Sequence, residues 1–175
     1  MKKCIALLLS TLLLIAACGA IAETAETGTI VSNHYDFSTS APENFGVIED
    51  HREFNSLIIY VNDDTTAPVY TLSIAYSEIY DGMSLADCSD EEVALYKTLV
   101  GMNFNDAEIT EAKTAMGTPL LIFNEKDSAS DYVTIATIYK GYVLEMHIDK
   151  EDFSEITKEE VDMGVKIYSD ISFLE

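Results

Sequence analysis

Glu145, His147 and Asp149 alternate along one apolar stretch of the chain and form its best local set of acid, base or metal-ligand side chains. In an extended strand the three would share one face at successive spacings of about 6.8 Å. That is too wide for three ligands of one ion unless a neighbouring strand contributes, so the expectation is a solvent-facing polar pattern. His34 and His51 stand far from His147 in sequence. Cys88 lies between Asp87 and Ser89 with no adjoining His or Lys, so its thiol pKa should be raised rather than lowered. It reads as a small, partly buried residue ahead of a helix. The chain holds no GxSxG, HExxH, Walker or GxGxxG pattern. Asp63 and Asp64, and the run Asp149, Glu151, Asp152, lack the order and the twelfth-position glutamate of an EF-hand loop. Spacing therefore assigns no catalytic residue and no cofactor, and leaves any metal ligand unknown.

Tyrosine is a softer signal. The chain has 10 Tyr, 7 Phe and no Trp, and Tyr joins apolar area to a hydroxyl suited to ligand contact. Tyr70, Tyr76, Tyr139 and Tyr142 fall on apolar faces, which leaves Tyr60, Tyr80 and Tyr132 as candidates for a tyrosine-lined surface.

The elements that would position these groups follow from periodicity. Residues 29–37 read as a strand and 38–44, around Pro42, as a loop. Residues 54–62 and 69–77 alternate with period two on either side of Asp63, Asp64, Thr65, Thr66, which predicts a hairpin. Ser89 with Glu92, and Thr157 with Glu160, are capping boxes, and Val93, Tyr96, Val100 and Val161, Val165, Tyr168 follow at helical spacing. The acidic clusters at both starts are explained by the helix dipole. Between the helices, 107–113, 118–124, 132–139 and 142–149 read as strands, the last two joined through Lys140 and Gly141. That turn pairs Tyr139 with Tyr142, Thr137 with Leu144, Ile135 with Met146 and Val133 with Ile148, all on one largely apolar face. The other face carries Glu145, His147 and Asp149 and should be open or partly covered.

Composition narrows the class of protein. The chain has 175 residues, 31 acidic against 10 basic, a formal net charge of -21 and 48% hydrophobic residues. So apolar a chain can bury a core, and with no basic footprint it is no nucleic-acid binder. Lys2 and Lys3 precede a largely apolar run from Ile5 to Ala17, the pattern of a signal peptide over residues 1–22. Ile15, Ala16, Ala17, Cys18 resembles the lipobox of bacterial lipoproteins, in which Cys18 is acylated and anchors the chain to a membrane. Alternatively, Ala20, Ile21, Ala22 is a small-x-small cleavage site, and the chain is secreted without Cys18. Loss of both lysines and no acidic residue leaves the exported portion more acidic still. Residues 23–28 read as a tether and 29–175 as a single α+β domain, an antiparallel meander sheet packed with two or three helices.

The order of strand, paired strands, helix, meander and C-terminal helix resembles the PsbP-like alpha-beta-alpha sandwich. The pieces that carry the resemblance are Tyr35, Asp36, Phe37 leading to Pro42, the helix from Ser89 ahead of four strands, and a last helix closing on Ile171 and Phe173. That family includes the extrinsic photosystem II subunit, a Ran-binding nuclear import factor and small bacterial lipoproteins of unassigned role. The resemblance implies a binding or accessory module more readily than an enzyme, and transfers no site residues. The reading is an extracytoplasmic, non-enzymatic module of the bacterial envelope that binds an envelope protein or ligand. The alternatives are a hydrolase whose site is assembled only in three dimensions and a calcium-responsive acidic surface protein.

Overall fold

The computed structural model describes residues 29–32, 37–40, 42, 44–51, 55–125 and 131–173. The expected signal peptide over residues 1–22 with Cys18, the expected tether over 23–28, and His34, Tyr35 and Asp36 lie outside the described residues. Seven strands form one antiparallel sheet: β3 (Phe45–His51), β4 (Asn55–Asn62), β5 (Val69–Tyr76), β6 (Ala107–Lys113), β7 (Pro119–Glu125), β8 (Tyr132–Tyr139) and β9 (Tyr142–Asp149). Their spatial order is β3-β4-β5-β9-β8-β7-β6, so two meanders meet where β5 pairs with β9. A second, three-stranded sheet joins β1 (Thr29–Ser32), β2 (Phe37–Ser40) and β10 (Ser172–Phe173).

Helices α1 (Asp90–Gly101) and α2 (Lys158–Ser169) begin at the two capping boxes. In each, the hydroxyl of Ser89 or Thr157 accepts the third residue's N–H, and that residue's carboxylate accepts the cap's own N–H. Two orphan donors of the first turn are thereby satisfied by sequence-local groups.

The β8–β9 hairpin has the expected register, from Tyr139 opposite Tyr142 to Val133 opposite Ile148. Lys140 and Gly141 both take positive φ, 49° and 89°, as a two-residue primed turn requires. A side chain at Gly141 would also meet Tyr76 Cε2 at 3.1 Å and the Asp81 backbone at 3.3 Å. On one face of the sheet Ile58, Tyr60, Leu72, Ile135, Leu144, Met146 and Ile148 pack beneath Ile167 and Tyr168 of α2. On the other face Leu121, Phe123, Ala136 and Ile138 pack against Tyr96 and Val100 of α1 and against Phe104. The helices therefore lie on opposite faces, and the α+β, alpha-beta-alpha expectation holds. Each fully buried aliphatic or aromatic side chain contributes about 1.5 to 3 kcal/mol by leaving water.

Cross-layer bonds set how α2 sits. The Tyr168 hydroxyl donates to the Ile135 carbonyl at 2.7 Å and the Tyr70 hydroxyl to the Glu160 carbonyl at 2.9 Å. Lys150, its side chain 8% exposed, joins the end of β9 to the start of α2, 2.8 Å from Glu160 and donating to the Glu155 carbonyl.

Three sequence readings change. Residues 29–37 are two paired strands, with Ser32 opposite Phe37, so β2 occupies part of the expected 38–44 loop. Strand β3 was not foreseen, because Glu49, Asp50 and His51 interrupt its apolar alternation. Such residues suit an outer strand, and pairing to β4 alone supports it. Finally, 118–124 is a strand shifted by one residue, beginning at Pro119.

Candidate binding site

Period two puts Glu145, His147 and Asp149 of β9 on the α1 side of the sheet, opposite the face that α2 covers. Register sets Thr71 and Ser73 of β5 beside His147 and Glu145, with Thr134 and Ala136 of β8 on their other flank. Helix α1 covers the β7–β8 part of this face. Further along the same face, Ile48, Leu57, Ile59, Val61, Thr71 and Ser73 remain half-buried. The result is an apolar row bordered by a polar strip.

Glu145 and His147 are half-buried rather than solvent-facing, which corrects the sequence expectation. The reason is lateral: Tyr132 and α1 stand beside the strand, which spacing along β9 does not reveal. His147 Nδ1 lies 2.5 Å from the Tyr132 hydroxyl and 3.0 Å from that of Thr134, and the two rings stack at 5.4 Å between centroids. Phe104 packs on Tyr132 from the other side, with centroids 5.6 Å apart. Burial pushes the imidazole pKa below its ordinary value, which keeps the ring neutral. With its proton on Nε2, the ring accepts the Tyr132 hydroxyl at Nδ1. Thr134 is 0% exposed, so its hydroxyl has no route to a substrate and serves as a support for the histidine.

Glu145 lines a cavity of about 300 Å³ together with Ile79, Tyr80, Tyr96, Leu99, Val100, Asn103 and Val143. Burial pushes its carboxyl pKa up, and no hydrogen bond or ion pair within the described residues offsets that. Asp149, at the end of β9, stays exposed, as the sequence expectation has it.

The remaining candidates have local roles. The Cys88 thiol donates to the Ser84 carbonyl at 3.6 Å, and burial, then Glu92 and Asp87, push its pKa up. Its thiolate is therefore disfavoured, as the sequence indicated. The acidic hairpin loop caps itself: the Asp64 carboxylate accepts the backbone N–H and the hydroxyl of Thr66. Asp152 likewise accepts the Ser154 N–H. Among the described residues no three His, Cys, Asp or Glu side chains stand together to hold a metal ion. His51 lies in β3, with β4 and β5 between it and the strand of His147. Of the left-over tyrosines, Tyr60 is fully buried in the core, which removes it as a surface group, whereas Tyr80 and Tyr132 are half-buried beside the strip. Sequence reasoning missed Thr71, Ser73, Tyr96 and Leu99 as neighbours of Glu145 and His147. Only the β5–β9 pairing and the seat of α1 bring them there.

No family model matches the chain, and no curated protein matches it. Among solved structures it is similar to the solution structure of cyanobacterial PsbP (CyanoP) from Synechocystis sp. PCC 6803, at a TM-score of 0.47 and 9% sequence identity. That similarity covers 89% of this chain and 98% of the other.

Proposed function

We propose that the chain is an exported accessory module of the bacterial envelope, anchored through acyl-Cys18, that binds a partner with the α1-side face of its sheet and performs no chemistry. The observation that carries this is the partly covered face itself. Ile48, Leu57, Ile59 and Val61 stay half-exposed beside Thr71, Ser73, Glu145 and His147, an apolar centre with polar groups at its border, as in recognition surfaces. A reacting site would need a nucleophile held against a base and open to a substrate. The aliphatic hydroxyl beside His147, that of Thr134, is sealed, and the Cys88 thiol bonds to a carbonyl. The basic start, the apolar run and the Ile15–Cys18 pattern support export and anchoring. Among the described residues no helix is long and apolar enough to cross a membrane.

Two measurements test the reading. Mass spectrometry of the N-terminus from native membranes is expected to find acylated Cys18, and a free Glu23 terminus would overturn the anchor. Crosslinking in intact cells is expected to give a defined partner adduct that Ile59→Arg removes without unfolding the protein. An adduct insensitive to that substitution would place recognition elsewhere.

A further inference from the structure

We infer that the cavity at Glu145 is a site for an alkylammonium group, specifically a lysine side chain displayed by the partner protein. The inference rests on the binding-module reading above and gives its site a chemistry. Glu145 is the charged member of a cavity otherwise walled by Ile79, Tyr80, Tyr96, Leu99, Val100 and Val143, with Asn103 beside them. Its carboxylate has no hydrogen bond or ion pair among the described residues. The contrast is with Glu160, a partly buried carboxylate of the same fold, which holds both Lys150 and the Thr157 N–H. A carboxylate partly withdrawn from water without a partner costs some free energy that an arriving cation would recover.

The walls select which cation. Aliphatic Ile79, Leu99 and Val143 suit a methylene stem, and the Tyr80 and Tyr96 rings suit the charged end. Ile79 and Leu99 are 82% and 54% exposed, so the mouth is an apolar rim that a partner surface can cover. The volume, about 300 Å³, stands at the small end of ligand cavities. A net charge of -21 draws cations toward the surface and repels anions.

The test uses purified protein and n-butylammonium chloride, followed by the amide resonances of Tyr96, Val143 and Glu145. Saturable shifts are expected with butylammonium and not with butanol or with sodium chloride of equal strength. Glu145→Gln should weaken binding at least tenfold, and Leu99→Ala several-fold, with both variants folded by the same spectra. A blocked tetrapeptide containing one lysine should bind at least tenfold more tightly than the same peptide with acetyl-lysine, and more tightly than butylammonium. Equal shifts with butanol, or undiminished binding by Glu145→Gln, would overturn the site. A peptide no tighter than butylammonium would overturn the partner's lysine as occupant. Because the readout is ligand binding by the isolated protein, its failure leaves the Cys18 and Ile59 tests of the broader reading intact.

Discussion

Gly164 offers the sharpest test of how α2 rests on the sheet. A Cβ placed there would stand 2.8 Å from Ile135 Cδ1, 3.0 Å from Ile148 Cδ1 and 3.4 Å from Met146 Sδ. Carbon contacts settle at about 3.5 to 4.0 Å, so the first neighbour alone must retreat by roughly 0.7 Å or more. All three are 0% exposed, and a close-packed interior has little void to receive them. Gly164→Ala gains about 1 kcal/mol of helix propensity and loses about 1 to 3 kcal/mol to overpacking. We expect a net loss of about 1 kcal/mol, which in a domain of this size lowers Tm by roughly 2 to 4 °C. Ile135→Val deletes the very atom at 2.8 Å and by itself costs about 0.5 to 1.5 kcal/mol. In that background Gly164→Ala should become neutral or stabilising, giving a coupling of about 1 kcal/mol in urea denaturation. Strict additivity, or a wild-type background stabilised by the full propensity gain, would refute the tight seating of α2.

Lys150→Met should cost about 2 to 3 kcal/mol by stranding Glu160. Burial pushes the Glu160 carboxyl up, but hydrogen bonds from Lys150 and Thr157 outweigh it and hold the pKa below 4.5, so its stabilisation is present above that pH and lost on acidification. The urea midpoints of wild type and Lys150→Met should therefore converge between pH 5 and 3. His147, pushed down by burial, has the same sign in a higher window: its unfolded form binds protons first, so stability should fall as pH drops below about 6.5, and His147→Gln should flatten that limb. Glu145, raised by burial, has the opposite sign, its contribution to stability falling as pH rises. Glu145→Gln should raise stability at pH 7 by about 0.5 to 1 kcal/mol, checked by thermal melts, as expected where a binding carboxylate is kept at a cost to the fold. Ser89→Ala should remove about 1 kcal/mol by uncapping α1, and an unchanged Tm would contradict the hydrogen bonds that Ser89 makes to Glu92.

The parts of the fold legible in sequence are those governed by neighbours in the chain. Ser89 with Glu92 and Thr157 with Glu160 announce their helices because a capping box closes within four residues. Lys140–Gly141 sets the β8–β9 register because a two-residue turn leaves one pairing that keeps Val133, Ile135, Met146 and Ile148 on one face. Strand β3 escaped notice because its residues follow no strict alternation and are held from one side by β4. The candidate site was legible only as a list. Glu145 and His147 were visible, but the period of β9 describes them as a row facing outward.

Sequence by itself thus determined the acidic character, the helix starts and the hairpin faces, since each depends on composition or on contacts a few residues apart. Tertiary structure alone decided that β5 pairs with β9, and that α1 covers half of a face and leaves the other half open. It alone set Tyr132 against His147 and left Glu145 without a partner beside Tyr96 and Leu99. Those outcomes join residues 15 to 80 positions apart, and burial is a property of what lies across the sheet and over it. A carboxylate on a strand becomes a candidate ligand group only when the fold removes part of its water and supplies no cation.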